Sequence, residues 1–151
     1  MDKTCCFSGH RKMSQQNIGQ DLENAIEYLI TEEGVKTFIS GGALGFDTLA
    51  AFSVISKRDT YDIKLVLALP CKEQDKFWTA AEKAEYKRLL KLADSVVYVS
   101  EAYTPDCMKK RNQYMVDQSQ FCICFLENNR SGTGQTVRYA KEKGLQIIRV
   151  C

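Results

Sequence analysis

The sequence predicts an α/β domain built on a mainly parallel sheet, with helices on both faces. Short apolar runs alternate along the chain with longer segments in which apolar residues recur at helical spacing, the pattern of strands joined by helical crossovers. The run at residues 63–69 is almost continuously apolar, as expected of a strand buried on both faces of a parallel sheet. Crossovers of this kind are right-handed, and such sheets bind ligands beyond the carboxyl ends of their strands.

In the first half of the chain we predict three strands and two helices. The strands are expected at residues 4–8, 37–39 and 63–69. A helix is expected at about 16–33, where Ile18, Leu22 and Ile26 share one face, and Gly34 ends it in the usual capping role. The second helix follows the glycine-rich segment at residues 40–47 and reaches about residue 57.

The second half of the chain continues the same alternation. Helices are expected at about 79–92, from the 104–106 region to about 118, and at 136–143, and strands at 95–99, 121–126 and 146–150. Thr104 or Asp106 is suited to cap the helix that ends near residue 118, because a short oxygen-bearing side chain accepts a hydrogen bond from the first helical turn. Residues 128–134 are expected to form a polar loop that contains glycine, and Gly144 ends the last helix.

Length and composition favour one domain, residues 1–151. The chain is 44% apolar and 26% charged, with a formal net charge of +2, so it carries no strong field for nucleic acid. No apolar run approaches the roughly 20 residues needed to cross a bilayer, and the first residues lack the layout of a signal peptide. We therefore expect a cytoplasmic protein for which neither a membrane nor nucleic acid is the expected partner.

The seven cysteines are expected to be reduced thiols. Their number is odd and no C-x-x-C pair is present, so we expect no metal site. Several fall in predicted strands, where free cysteine behaves as a small buried hydrophobe. Cys71 and Cys107, on predicted loops, are the candidates for thiol reactivity.

The segment Ser40-Gly41-Gly42-Ala43-Leu44-Gly45-Phe46-Asp47 lies between a predicted strand and a predicted helix. Glycine lets a backbone approach a phosphate and adopt positive φ, and the first turn of a helix has free N–H groups. Asp47 could accept a hydrogen bond from a ribose hydroxyl, or it could hold the loop through backbone N–H groups. The alternative is a tight turn that binds nothing, because a short glycine motif alone is weak evidence.

Several polar segments follow predicted strands and should therefore share one edge of the sheet. They are Gly9-His10-Arg11, Gly41-Gly42, Pro70-Cys71-Lys72, Ser100-Glu101 and Ser131-Gly132-Thr133-Gly134. The two glycine-rich segments enter helices, so each could hold a phosphate, and Arg11, Lys72 and Arg111 could add charge-assisted bonds. The turns at the opposite edge have the composition of plain connectors. This asymmetry favours a phosphorylated small molecule as the ligand.

Individual candidates have structural alternatives. His10, the only histidine, could act on a ligand or could brace the first loop. Arg111 could be a surface charge, although we favour a role facing the pocket. Glu101 is the candidate catalytic carboxylate, and a solvated loop acid is the alternative. Phe77 and Trp78 could stack on a base or could simply pack.

Five blocks of the sequence resemble the YpsA-type branch of the SLOG superfamily. They are Cys6-Phe7-Ser8-Gly9-His10-Arg11, the segment at 40–47, Leu67-Ala68-Leu69-Pro70-Cys71, Cys107-Met108 with Arg111-Asn112 and Tyr114-Met115-Val116, and Gly132-Thr133-Gly134 with Thr136-Val137-Arg138-Tyr139-Ala140. The blocks occur in family order through nearly the whole chain. The resemblance implies a Rossmann-like fold and a nucleotide or nucleotide-derived ligand such as NAD or ADP-ribose, with no required cofactor. A homodimer is compatible with the resemblance.

The same superfamily includes the LOG phosphoribohydrolases, whose motifs M-x-x-R-K and P-G-G-x-G-T-x-x-E supply a catalytic arginine and glutamate. Here Met108 and Arg111 match the first motif, but Asn112 replaces its lysine, and Arg138 or Tyr139 stands where the glutamate should fall. Cleavage of an N-glycosidic bond passes through a cationic state, which a carboxylate stabilises and an arginine opposes. LOG-type hydrolysis would therefore need Glu101 or Asp47 in that role.

The sequence leaves three functions open. The favoured one is a sensor or binding protein for a nucleotide-like ligand. The second is a phosphoribohydrolase-like or deoxyribosyltransferase-like enzyme that acts on an N-glycosidic bond. The third is a single-stranded DNA binder like the superfamily's Smf/DprA proteins, which near-neutral charge and the lack of a basic, aromatic-rich stripe disfavour. The expected ligand site comprises Gly9, His10, Arg11, Ser40, Gly41, Gly42, Gly45, Asp47, Lys72, Arg111, Asn112, Gly132, Thr133, Gly134 and Thr136.

Overall fold

A computed structural model describes residues 2–12 and 18–150, and it contains a six-stranded sheet. The strands are β1 Lys3–Gly9, β2 Val35–Ser40, β3 Lys64–Leu69, β4 Ser95–Tyr98, β5 Phe121–Phe125 and β6 Gln146–Arg149. Their order across the sheet is β4-β3-β2-β1-β5-β6, and every neighbouring pair is parallel. The predicted α/β class with a mainly parallel sheet is confirmed.

Five helices connect the strands: α1 Gly19–Glu33, α2 Phe46–Lys57, α3 Ala80–Leu92, α4 Cys107–Asp117 and α5 Gly132–Glu142. The predicted start of the first helix, near residue 16, lies outside the described residues. Gly34 ends α1 with φ of 72°, and its N–H donates to the Leu29 carbonyl, as the sequence predicts. Thr79 and Glu82 form a reciprocal capping box at the start of α3.

Two predictions about helix starts are wrong. Helix α5 begins at Gly132 and not at Thr136, because the Ser131 hydroxyl accepts a hydrogen bond from the Gly134 N–H and so caps the helix earlier. Gly132 to Gly134 therefore form the first turn of the helix, where a loop was expected. At α4, Asp106 occupies the capping position but makes no capping bond, and its carboxylate accepts a hydrogen bond from the Thr104 hydroxyl.

The sheet separates two apolar cores. On one face, side chains of α1, α2 and α3 such as Leu22, Val54 and Leu89 share one apolar core with Phe38 of the sheet. On the other face, α4 and α5 pack over a smaller core that includes Cys6, Cys122 and Cys124. Side chains alternate between the two faces along each strand, so both faces carry apolar residues. Helices cover both faces, as predicted.

The strand order reverses between β1 and β5. Successive strands extend from β1 to β4 in one direction, and the connection through α4 then returns the chain to β5 on the opposite side of β1. Ligands of such sheets bind in the crevice outside the carboxyl ends of the strands at this switch point. In the described part of the chain, no helix combines the length and the apolar character that crossing a membrane requires.

Candidate functional site

A cavity of about 260 Å³ lies at the switch point between β1 and β5. Its walls come from the end of β1, the start of α2, one face of α4 and the first turn of α5. We call it the central cavity. It brings together Gly9, His10, Arg11, Asp47, Arg111, Asn112, Gly132 and Thr133 of the predicted site.

Two further cavities adjoin the central one. The helix cavity, of about 490 Å³, lies between α4 and α5 and includes Thr136. The aromatic cavity, of about 680 Å³, is lined by Phe77, Trp78 and Tyr103 among others. Met108 lines all three cavities, and Arg11 lines both the central and the aromatic cavity. The three cavities are therefore neighbours that share wall residues, and we call them together the groove.

Arg111 is the buried cation of this groove. Its side chain is 5% exposed, and Nη1 donates to the carbonyls of Gly41 at 2.6 Å and Ala68 at 3.4 Å. Nε donates to Asn112 Oδ1 at 2.8 Å, and Nη2 approaches Met108 Sδ at 3.6 Å. Helix α4 thus inserts the guanidinium beneath the carboxyl ends of β2 and β3, and the favoured role of a side chain facing the pocket agrees with this placement.

The hydrogen bonds of Arg111 leave donor capacity unused. Nη2 carries two hydrogens, and a single sulfur is its acceptor among the described residues. Within the same residues, no carboxylate lies within 4.0 Å to form an ion pair with it. Burial lowers the pKa of the guanidinium, and the Asp47 charge opposes this shift. Arginine nevertheless stays protonated in proteins, so the cavity wall holds a buried positive charge.

Asp47 is the carboxylate of the central cavity and is 7% exposed. Burial raises the pKa of its carboxyl to about 6, while the Arg111 charge and a hydrogen bond from the Ala43 N–H act in the opposite direction. The bond to Ala43 means that Asp47 holds the glycine-rich loop, one of the two roles that the sequence allowed. The carboxylate shares the wall of the cavity with Arg111 and Arg11, and the charge of each arginine lowers its pKa.

The first turn of α5 supplies backbone donors to the central cavity. Ser131, Gly132 and Thr133 line it, and the amides of a first helical turn have no acceptor within the helix. Gly134 lines none of the three cavities, and its N–H is already bonded to the Ser131 hydroxyl at 3.1 Å. The amides of Gly132 and Thr133 remain as the candidate donors to an anion at the positive end of the helix dipole.

The loop after β2 is arranged differently. Ser40, Gly41, Gly42 and Gly45 line none of the three cavities. The Ser40 hydroxyl donates to the Asp47 carbonyl and accepts from the Gly42 N–H. A Cβ at Gly41 would lie 2.6 Å from Arg111 Nη1 and 2.7 Å from Asp47 Oδ2. The structure therefore packs this loop against the protein's own side chains, and the expectation that it exposes amides to a phosphate does not match the placement.

His10 has a structural contact that the sequence could not separate from a catalytic one. Its Nε2 accepts hydrogen bonds from the Glu127 N–H at 2.7 Å and the Asn128 N–H at 3.4 Å. Its ring packs edge-on against Phe125 at 5.9 Å between centroids. Because Nε2 accepts, Nδ1 carries the proton of the neutral ring. The histidine thus braces the segment after β5, and it also lines the central cavity.

Two charged residues of the predicted site also lie outside the groove. Lys72 is exposed, with its Nζ 5.8 Å from the centroid of the Tyr98 ring. Glu101 is exposed after β4, which is the edge strand and lies three positions from β1 in the sheet. At the usual strand spacing this is about 14 Å from the switch point. Neither residue lines any of the three cavities.

Met108, Tyr103 and Gln74 are among the residues of the groove that were absent from the predicted site. Met108 could have been found, because it lies one helical turn before Arg111 and so shares its face of α4. Tyr103 follows an edge strand, and no pattern in the sequence distinguishes it from an ordinary loop residue. Gln74 lines the aromatic cavity, and a lone glutamine in a polar segment gives no signal of burial.

The six cysteines that the structure describes are free and buried. Cys71 is 1% exposed and Cys107 is 0% exposed, although both were expected on accessible loops. Burial raises the pKa of the Cys71 thiol, while a hydrogen bond from the Glu73 N–H lowers it. The low-pKa, exposed environment of a reactive thiol is therefore absent at Cys71. Among residues 2–12 and 18–150, no cluster of three or more histidine, cysteine or acidic side chains is placed to hold a metal.

The family model described as YspA SLOG family matches residues 4–147 of this chain. The chain belongs to this family. The resemblance seen in the sequence blocks is therefore confirmed, and the switch-point groove is a feature of a SLOG protein.

Relatives of this SLOG protein include an uncharacterised SPbeta prophage-derived protein, YoqJ, of Bacillus subtilis, with 41% identity over 83% of this chain and 82% of YoqJ. A UPF0398 protein of Halalkalibacterium halodurans is 30% identical, over 77% of this chain and 62% of its own length. These names assign no activity.

Solved structures extend the likeness of fold to DNA processing protein A. The Streptococcus pneumoniae protein superposes with a TM-score of 0.72 at 20% identity, over 98% of this chain and 50% of that one. The Helicobacter pylori protein, whose structure concerns its binding of single-stranded DNA, gives 0.69 at 17% identity, over 97% of this chain and 64% of that one. At these identities the likeness supports the Rossmann-like fold, and this chain spans between half and two thirds of either protein.

Proposed function

We propose that this SLOG protein is a cytoplasmic sensor or binding protein for a nucleotide or nucleotide-derived ligand such as NAD or ADP-ribose, with a phosphate group held in the central cavity. The observation that carries the proposal is the buried Arg111 guanidinium, which lines the cavity with a spare Nη2 donor and no carboxylate within 4.0 Å among the described residues. A buried charge is costly unless it is paired. An anion in the cavity would supply the missing partner through a charge-assisted bond.

Two neighbouring features support an anion at the same place. Arg11 is exposed and lines the same cavity, so it can close over a bound phosphate from the solvent side. The amides of Gly132 and Thr133 lie at the positive end of α5. Donors from β1, α4 and α5 thus converge at the point where parallel sheets of this type bind ligands.

Isothermal titration calorimetry with matched ligands tests this proposal. We expect AMP to bind more tightly than adenosine, and ADP-ribose and NAD to bind as well. Arg11→Ala should weaken the binding of AMP by about tenfold, the effect of losing one bond to a charged group, and should weaken the binding of adenosine much less. Arg111→Lys should also weaken AMP binding, because lysine keeps the charge but loses the planar fork of donors.

Lys72→Ala is the matched control, because Lys72 is an exposed cation that lies outside the three cavities. It should bind AMP like the unmodified protein. Equal affinity for AMP and adenosine, or an equal loss in Arg11→Ala and Lys72→Ala, would contradict a phosphate site in the central cavity.

Cleavage of an N-glycosidic bond in the same ligand is the enzymatic alternative. Asp47 is the carboxylate that lines the central cavity, whereas Glu101 lies outside it. If a reaction occurs, incubation with AMP or NAD should release free base, and Asp47→Asn should stop the release. Binding without released base would favour a sensor or regulatory role.

Binding of single-stranded DNA is a second candidate, favoured by the exposed aromatic side chains of the groove. Phe77 is 91% exposed and Tyr103 is 66% exposed, and bases stack on such side chains in proteins that bind single strands. The fold likeness to DNA processing protein A makes the test worthwhile. A salt-dependent shift of a labelled oligonucleotide that Phe77→Ala removes would support this candidate over a mononucleotide.

A further inference from the structure

The aromatic cavity contains the most exposed apolar side chains of the described protein. Phe77 and Tyr103 exceed every other large hydrophobic residue in exposure, at 91% and 66%, and both line this one cavity. Trp78 adds a third aromatic wall and is itself held edge-on against Tyr86, with 5.1 Å between ring centroids. Exposed apolar surface that is gathered into a concave site usually marks a place where a ligand binds.

One polar group in the wall of this cavity has an unused hydrogen-bonding atom. Gln74 is 9% exposed and its Nε2 donates to the Gly41 carbonyl and the Tyr86 hydroxyl. Its Oε1 is buried and has no hydrogen-bond partner among the residues that the structure describes. A buried acceptor without a donor costs free energy, so an N–H group that reaches Oε1 after a small rotation of the side chain would recover it.

The charged side chains around the aromatic cavity balance, so they give no net attraction for a second anion. The carboxylates of Glu73 and Glu82 belong to its wall, together with Lys76 and Arg11. Carboxylates repel a phosphate but accept hydrogen bonds from N–H donors. The cavity is therefore suited to a flat, neutral ring that carries N–H groups on its edge, and a nucleobase has this chemistry.

We propose that the aromatic cavity binds the nucleobase of the ligand, stacked on the Phe77, Trp78 and Tyr103 side chains, while the phosphate lies beside Arg111 in the central cavity. The inference rests on the proposed function and deepens it by placing the base. Arg11 and Met108 line both cavities, so a single ligand can extend from one to the other across these two side chains.

Fluorescence of Trp78 provides a direct readout, because it is the only tryptophan in the chain. The probes are AMP and ribose 5-phosphate, which share the phosphorylated sugar and differ in the base. We expect AMP to quench Trp78 emission and to bind at least tenfold more tightly than ribose 5-phosphate, in line with the worth of one base–aromatic stack. Ribose 5-phosphate should bind without changing the emission.

Substitution of the exposed rings tests the cavity without disturbing the core. Phe77→Ala and Tyr103→Ala should each weaken the binding of AMP by about threefold to tenfold. The affinity for ribose 5-phosphate should be unchanged. Gln74→Met, of similar shape, should lower the ratio of AMP affinity to ribose 5-phosphate affinity. Tyr28→Ala is the control, because Tyr28 is 45% exposed on α1 and lies outside the groove.

The outcomes separate this inference from the proposed function. Equal affinity for AMP and ribose 5-phosphate, with both weakened by Arg11→Ala, would overturn the base site and keep the phosphate site. Absence of binding by either probe would overturn both. Binding of an oligonucleotide that depends on Phe77, with no binding of AMP, would show that the aromatic cavity serves a polymer and would overturn the proposal for a mononucleotide.

Discussion

The loop after β2 and the first turn of α5 both carry paired glycines at the same edge of the sheet, yet Gly41 and Gly132 have different surroundings. Gly41 and Gly42 are buried, and the space beside Gly41 holds the Arg111 guanidinium and the Asp47 carboxylate. A Cβ at Gly132, in contrast, would meet nothing within 4 Å. Gly41 is needed because the protein's own side chains approach closely, whereas Gly132 lines the central cavity with open space beside it.

The difference originates in α4. This helix packs on the face of the sheet opposite α2 and extends Arg111 under the ends of β2 and β3, where the Gly41 and Ala68 carbonyls accept its hydrogen bonds. The loop after β2 thus holds the Arg111 guanidinium, and the guanidinium in turn can bind a ligand. A glycine pattern alone does not show whether a loop binds phosphate through its own backbone or positions a side chain that binds phosphate.

Gly41→Ala should produce the largest effect. Its Cβ would lie 2.6 Å from Arg111 Nη1 and 2.7 Å from Asp47 Oδ2, so either the guanidinium leaves its buried site or the loop moves. A displaced guanidinium would lose its hydrogen bonds to the Gly41 and Ala68 carbonyls. Each hydrogen bond to a charged group contributes about 1.5–3 kcal/mol, so we expect a loss of about 3–5 kcal/mol in the free energy of unfolding, measured by urea denaturation.

Gly132→Ala is the matched control in the other glycine segment. It adds a methyl group in open space at the first position of a helix, so stability should stay the same or rise by about 0.5–1 kcal/mol. Similar losses in both variants would show that the two segments do not differ in the way described.

Asp47→Asn should change the pH dependence of stability. Burial raises the pKa of the Asp47 carboxyl from 3.8 to about 6, so the folded chain keeps a proton that the unfolded chain has released. The contribution of Asp47 to the free energy of unfolding therefore falls as the pH rises from about 4 to 6, by about 3 kcal/mol. The asparagine variant lacks this titration and can still accept from the Ala43 N–H.

Urea denaturation of both proteins between pH 4 and 7 checks this expectation. The unmodified protein should lose about 3 kcal/mol relative to Asp47→Asn across the range. If the difference in the free energy of unfolding between the two proteins stays constant across this pH range, burial does not raise the pKa of the Asp47 carboxyl. A relative gain with rising pH would show that the Arg111 charge outweighs burial and lowers the pKa of Asp47.

The fold could be predicted because its signals are local. Cys122 and Cys124 alternate with Phe121, Ile123 and Phe125 in β5, and Gly34 ends α1 as a sequence rule requires. The start of α5 was missed because the Ser131 cap depends on one hydroxyl bond to Gly134, and a serine before glycines is equally typical of a loop.

The site was predicted in part, for a topological reason. Carboxyl ends of parallel strands share an edge, so the convergence of Arg11, Arg111 and Gly132 could be expected. Lys72 and Glu101 share that edge but follow β3 and β4, away from the switch point. Strand order decides which loops meet, and it is set by long-range pairing that no local pattern in this chain specifies.

Ser40→Ala and Ser131→Ala compare the residues that precede the two glycine segments. The Ser40 hydroxyl is buried and bonds both the Asp47 carbonyl and the Gly42 N–H, so its loss should cost about 2 kcal/mol, since a buried donor is left unpaired. Ser131 caps α5 at a position open to solvent, and Ser131→Ala should cost about 1 kcal/mol. Thermal unfolding of both variants shows which substitution costs more stability. A larger loss of stability in Ser131→Ala would contradict the description of the Ser40 segment as buried and the Ser131 segment as open.

Glu101→Gln should have the smallest effect of all. Its carboxylate is exposed and lies outside the groove, and substitutions at such positions usually change stability by less than about 0.5 kcal/mol. The same placement means that the Glu101 carboxylate cannot stabilise a cationic sugar in the central cavity, so AMP affinity and any release of base should match those of the unmodified protein.

Asp47→Asn, assayed in parallel, removes the carboxylate that does line the cavity. A loss of base release in Glu101→Gln alone would place the reaction at the edge of the sheet, beyond β4, and would separate it from the phosphate site.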